Sequence, residues 1–208
     1  MVRKKVRSAL SKVLAWVVLA ICLSCAKSPY INVDYRQTTE RRSVITEKPV
    51  YIECVDLRRD KAILNEKAKK QFPDFSGEFS LTLKVSDNQQ TPMGNYTLPR
   101  LFETAFSNRL KQLGVPTSDQ PSSDILTLHV EINRFQISLV GRDWAADIGY
   151  TASLNDLESR IASETVTGSA QRYKGLGRGG AEKVTGEIFT DAINRLNIER
   201  LFSKATVN

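Results

Sequence analysis

Gly175, Gly177 and Gly180, in the stretch RYKGLGRGGAEKV (172–184), have the G-x-G-x-x-G spacing of a dinucleotide-binding turn, and a helix-like run follows them. That chemistry needs a parallel strand before the turn and another after the helix. It also needs an acidic residue about twenty positions on, to hold the ribose. Here no strand pattern follows the helix, and Glu199 lies within or at the end of it. No Gly-Lys-Ser/Thr sequence completes a P-loop. The glycines therefore read as a flexible connector between the last strand and the last helix, and no nucleotide or other cofactor is expected.

The other residues able to do chemistry are few. His129 is the only histidine. With no histidine or cysteine partner it cannot build a common zinc site, so no metal is expected. No G-x-S-x-G nucleophile signature occurs. A secreted hydrolase using His129 is the enzymatic alternative, ranked below a solvated histidine on the outer face of a strand. Asp56, Asp60 and Asp124 read as turn and strand-end residues rather than paired acids. Trp144, in GRDWAADIG between two strand patterns, is a candidate partner contact. The competing reading has it pack across its own hairpin.

The cysteines carry a clearer signal. Arg3, Lys4, Lys5, Arg7 and Lys12 form a basic leader, and an apolar run, Val13 to Leu23, follows. At about 1.5 Å per residue this run makes roughly 16 Å of helix, too short for a hydrocarbon core of about 30 Å. It reads as a secretory signal. Its end, Cys22-Leu23-Ser24-Cys25, resembles the bacterial lipobox. That resemblance implies a signal peptide over 1–24 and a lipid on Cys25, although Cys22 stands where leucine is usual. A polar stretch over 25–48 then reads as a flexible tether with a short extended piece near Tyr30 to Tyr35, and 49–208 as the folded domain. Removing the five basic leader residues lowers a formal charge of +7 to +2, so the basic balance belongs mostly to export and argues against a nucleic-acid partner. Only Cys54 then remains as a thiol, in the apolar run PVYIECVDLR, and it reads as buried and inert.

These residues need elements to position them. Val50, Ile52 and Cys54 alternate in a first strand, and Phe79, Leu81, Leu83 and Val85 alternate in a second one, closed by a loop through Pro92, Gly94 and Asn95. RRDKAILNEKAKKQF has room for a helical turn or two. TLPRLFETAFSNRLKQLGV places Leu98, Leu101, Phe102, Ala105, Phe106, Leu110 and Leu113 on one helical stripe, with Thr97 as the expected cap and Gly114 as the stop. In the run 125–140 the apolar parity changes from Leu126, Leu128, Val130 and Ile132 to Phe135, Ile137 and Leu139. One extra residue near Asn133-Arg134, a bulge, accounts for the switch. Two more strand patterns complete an antiparallel meander, and a helix over about 181–202 ends the chain. The expected fold is an α+β two-layer sandwich: a mainly antiparallel sheet of about four strands, with two amphipathic helices on one face.

In order, VYIECVDLRRDK, LFETAFSNRLKQLGV, SSDILTLHVEINRF, YTASLNDLESR and GLGRGGAEKVTGEIFTDAINRLN resemble the YajG-type family of bacterial lipoproteins across most of 50–202. The topology is also similar to LptE-like partners of an outer-membrane barrel and to auxiliary lipoproteins of ABC-type lipid transport. The resemblance implies an envelope lipoprotein, lipid-anchored at the bacterial outer membrane with its domain facing the periplasm, and the scarcity of catalytic signatures makes it read as non-enzymatic. It would bind a partner protein or an envelope glycolipid. The expected contact regions are the meander's exposed edge and the loops 88–96, 141–146 and 175–180.

Overall fold

The computed structural model describes residues 29–38, 46–86, 88–157, 159–173 and 178–203. Within them the chain forms β1 (Ile31–Arg36), β2 (Val50–Asp56), the short helix α1 (Glu66–Lys69), β3 (Phe79–Ser86) and β4 (Gln89–Tyr96). Then come α2 (Leu98–Gln112), β5 (Thr117–Ser118), β6 (Leu126–Val140), β7 (Asp143–Asp156), β8 (Ser159–Tyr173), α3 (Gly179–Arg195) and α4 (Ile198–Ser203). The α+β class is as expected, but the single sheet of about four strands is corrected to two sheets with eight strands among the described residues. Their orders are β1-β3-β4 and β5-β2-β6-β7-β8. Nor is the pairing all antiparallel: β1 runs parallel to β3, and β2 runs parallel to both β5 and β6.

The sources of the missed strands are physical. β4 is exposed along most of its length and carries no alternating apolar set; backbone pairing to β3 holds it, with Met93 and Tyr96 partly buried against the core. β5 is two residues long. The short extended piece expected near Tyr30 to Tyr35 is β1, and its Ile31, Val33 and Tyr35 are fully buried. The free edge of β1 is closed by α3. Glu182 accepts from the Asn32 backbone N–H, Thr190 accepts from that of Arg36, and Asn194 donates to the Arg36 carbonyl. These residues sit four or eight apart, with Gly186 between them, so they form one helical stripe. A Cβ at Gly186 would stand 3.0 Å from the Asp34 carbonyl oxygen, so the helix lies close against the strand.

The long meander follows the sequence closely. The register of β6 against β7 shifts between Ile132 and Arg134, where the parity change places it. Both apolar sets, Leu126 to Ile132 and Phe135 to Leu139, are consequently buried on the same face. Helix α2 buries its expected stripe and ends in a Schellman motif. The Val115 N–H reaches the Leu110 carbonyl, and Gly114 N–H reaches that of Lys111, with Gly114 at φ +80°. Thr97 occupies the cap position but makes no side-chain cap bond. The single terminal helix expected over 181–202 is two helices, because Asn197 accepts from the Arg200 N–H and starts a new one.

The core lies between the inner face of the five-stranded sheet and a layer made of α2, α3 and the smaller sheet. Phe102 of α2 is its centre, with rings of Phe135, Tyr150 and Phe189 at 6.3, 5.7 and 5.2 Å in edge-to-face contact. Each fully buried aromatic or leucine contributes about 1.5–3 kcal/mol. Phe79 brings the smaller sheet onto the larger through Phe135, at 5.2 Å. The Tyr150 hydroxyl donates to the Ala192 carbonyl at 2.8 Å, and buried Arg109 donates to that of Ile193, so the last turn of α3 is tied into the core.

Candidate functional site

Alternation along β6, β7 and β8 sends one set of side chains into the core and the other to the opposite face. That outer face is polar. Register places Glu53, His129, Ser153 and Ser163 in one row across four strands, and Val55, Glu131, Thr151 and Thr165 in the next. The His129 Nδ1 lies 2.8 Å from the Glu53 carboxylate, and its Nε2 lies 3.7 Å from that of Glu131. The Ser153 hydroxyl donates to Ser163 at 3.3 Å, and the Thr151 and Thr165 hydroxyls are 3.1 Å apart. A nucleophile and its base must share a hydrogen bond. Here the imidazole is held between carboxylates and the serine turns to another serine.

The same face ends in a crevice of about 400 Å³ where the chain leaves β2. Its walls are the loop from Leu57 to Ala62 and the bulged part of β6, Asn133 to Gln136. Arg58 joins the two walls. Its Nε and Nη2 grip the Asp56 carboxylate at 3.0 and 2.9 Å, and its Nη1 donates to the Phe135 carbonyl at 2.9 Å. Nη2 also donates to the Lys61 carbonyl, and the guanidinium is 6% exposed. Burial pushes the Asp56 carboxyl upward, but the hydrogen bonds and charge of Arg58, with Lys61, outweigh it and hold the group below the usual aspartate value.

The bulge gives the other wall its cation. The extra residue, Asn133, donates to the Thr151 hydroxyl at 3.3 Å. Arg134, next along, returns to the outer face while Phe135 enters the core. Opposite Arg134 stands Gly149, where a Cβ would meet the Arg134 Cβ at 3.3 Å. A larger residue at 149 would crowd the arginine stem. Arg59 and Arg134 are both exposed on the rim, and neither forms a side-chain ion pair or hydrogen bond among the described residues. Asp60 shares the rim, with one carboxylate oxygen accepting from the Ala62 N–H at 2.8 Å. Leu57, half exposed at 51%, gives the crevice an apolar lip.

The residues singled out by sequence fall elsewhere. Cys25, Gly175 and Gly177 lie outside the described residues, and Gly180 is in the first turn of α3. The strand before that helix, β8, runs antiparallel to β7 rather than parallel as a dinucleotide turn requires. Trp144, the candidate partner contact weighed against packing across its own hairpin, is corrected as a contact: it has no exposed surface. The turn is only Gly141-Arg142, with Gly141 at φ +60°, so Trp144 is already in β7 and points inward against Phe72 at 5.8 Å. The expected loop over 88–96 is strand β4. Cys54 is buried as expected, and burial, reinforced by the carboxylates of Glu103 and Glu53, pushes its thiol well up. Sequence reasoning missed the crevice, although its two signals, the Arg58-Arg59 pair after a strand and the parity switch at Asn133-Arg134, were both visible.

No family model matches the chain, and no curated protein matches it. Among solved structures the fold is similar to that of a Xanthomonas campestris protein of the DUF330 family. The TM-score is 0.51 and the identity 10%, over 84% of this chain and 94% of that one. A minor lipoprotein from Acinetobacter baumannii aligns at a TM-score of 0.42 and 15% identity, over 77% of this chain and 94% of its own. A lipoprotein from Neisseria meningitidis, GNA1162, aligns at 0.29 and 11%, over 72% and 97%.

Proposed function

We propose that the chain is a non-enzymatic envelope lipoprotein of YajG-like type, anchored through Cys25 at the outer membrane and binding its ligand or partner on the periplasmic side. One observation carries the binding part of this reading. The five-stranded sheet is fully packed on one face, and its other face is polar and helix-free among the described residues, with an arginine-rimmed crevice at its edge. The anchoring part is supported by the basic leader, the short apolar run and the Cys25 signature. Each buried methylene supplies about 0.8 kcal/mol, and one acyl chain anchors only marginally, so the two or three chains of a bacterial lipoprotein would make attachment lasting.

Metabolic labelling with a radioactive fatty acid tests the anchor. Label is expected on the wild-type chain and lost in Cys25→Ala, with the wild type in the outer-membrane fraction. Label that survives Cys25→Ala, or a chain that fractionates with the cytosol and keeps its leader, refutes the reading. The narrower LptE-like form, an accessory partner of an outer-membrane barrel, predicts copurification with a heat-modifiable barrel protein.

A further inference from the structure

We infer that the crevice between the Leu57–Ala62 loop and the β6 bulge takes the phosphate-bearing headgroup of an envelope lipid, with Arg59 and Arg134 as its two ligands. The inference rests on the binding reading above and names the ligand class of that site. Several features place the cations there rather than leaving them as scattered surface charge. The buried Arg58 spends its donors on Asp56, Phe135 and Lys61, which pins the loop bearing Arg59 to the strand bearing Arg134. The bulge at Asn133 turns Arg134 outward, and Gly149 leaves room for its stem. Bulges commonly re-aim a side chain at a functional site.

Charge complementarity sets the ligand's sign. Arg59 and Arg134 bring two positive charges to the rim against the single carboxylate of Asp60, and Asp56 is already paired with Arg58 and Lys61. Guanidinium groups match phosphate oxygens in bidentate geometry. Leu57 selects among phosphates. An apolar side chain left half exposed beside two arginines suits a phosphate ester carrying a hydrocarbon substituent better than a free ion. A crevice of about 400 Å³ falls in the size range of small-ligand sites, so it suits a headgroup with its acyl chains directed away.

The test is calorimetric titration of the full chain in a non-ionic detergent. The probes are dihexanoyl phosphatidylglycerol, inorganic phosphate and uncharged dihexanoylglycerol. Saturable binding of the phospholipid is expected, at least about tenfold tighter than inorganic phosphate, with none for dihexanoylglycerol. Arg59→Glu and Arg134→Glu should each weaken the phospholipid at least about tenfold, the scale of one charged hydrogen bond. Lys111→Glu, on the exposed side of α2 and outside the crevice, should leave it unchanged. Micelle partitioning is common to all variants and cancels in the comparison, and circular dichroism melting confirms that each is folded. Equal affinity in the two crevice variants and the wild type overturns the inference. So does equal affinity for inorganic phosphate and phospholipid, or no binding of either. None of these outcomes depends on the state of Cys25, so a failed anchor and a failed headgroup site remain distinguishable.

Discussion

Replacing Arg58 with methionine, which keeps an unbranched apolar stem and removes the donors, probes the clamp directly. The change strands the Asp56 carboxylate, 19% exposed, with Lys61 alone, and leaves the Phe135 carbonyl without its donor. Hydrogen bonds to charged groups are worth about 1.5–3 kcal/mol each, and breaking a buried ion pair from one side costs about 3–5 kcal/mol. Because Asp56 keeps Lys61 and some water, the low end applies, and a loss of about 2–4 kcal/mol is expected at pH 7. For a chain of this size that is a fall in melting temperature of roughly 5–15 °C. The pH dependence supplies a second readout. The folded Asp56 titrates below its unfolded value of about 3.9, so its stabilisation is complete above that pH and is lost as pH falls through the lower folded value. The gap between wild type and Arg58→Met should therefore be widest near neutrality and narrow below about pH 4. Urea denaturation followed by circular dichroism at pH 7 and at pH 3 measures it. A gap under about 0.5 kcal/mol at pH 7, the size of an ordinary surface change, or one that stays constant down to pH 3, refutes the clamp.

Two glycines in the α3 and β8 regions should respond unequally to added bulk. Gly186→Val drives a branched side chain into the β1 backbone at Asp34 and should cost about 1–3 kcal/mol. By contrast, Gly168→Ala meets only the end of the Ile188 side chain, which can rotate away, and should stay within about 1 kcal/mol of wild type. Denaturant midpoints decide both, and a neutral Gly186→Val would mean that the helix does not seal β1. Tyr150→Phe removes the hydroxyl that donates to the Ala192 carbonyl and should lower stability by about 1 kcal/mol, with faster amide exchange in the last turn of α3. Unchanged exchange there would show that the bond does not hold the turn.

What could be read from the sequence was whatever alternation or helical spacing encodes. The β6 parity switch located a bulge to within a residue, and the Leu98-to-Leu113 stripe located α2, because in both cases one face must be apolar to be buried. β4 escaped for the converse reason: QQTPMGNY has no alternating apolar face, with only Met93 and Tyr96 partly buried, so its strand character comes mostly from pairing with β3 and leaves little mark in composition. β1 looked like tether because six residues give only three inward positions, and its partner along the sheet lies far on in the chain. Trp144 was misplaced by two residues of turn. A two-residue hairpin at Gly141-Arg142 starts β7 earlier than the turn composition suggested, and that alone carries the indole past both the partner-contact and the cross-hairpin readings into the core.

The crevice shows why a site of this kind is harder to read than a fold. Its residues come from segments some seventy-five positions apart and meet only because β2 and β6 run side by side and parallel. A parallel pair brings the strand ends that leave in the same direction to one edge, so the loop after β2 arrives beside the second half of β6. There Ile137 donates its N–H to the Ile63 carbonyl, and Asn65 donates its own to Ile137. Were Asn133 paired in regular alternation instead of bulged out, the parity of the first half of β6 would continue. Arg134 would then point into the core and Phe135 out of it. The bulge that accommodates Asn133 thus keeps Phe135 in the aromatic cluster around Phe102 and, in the same step, a cation on the open face. The bulge is therefore required by the core, whatever the crevice binds. Binding at the crevice has to be decided by Arg59 and Arg134, which the core does not need.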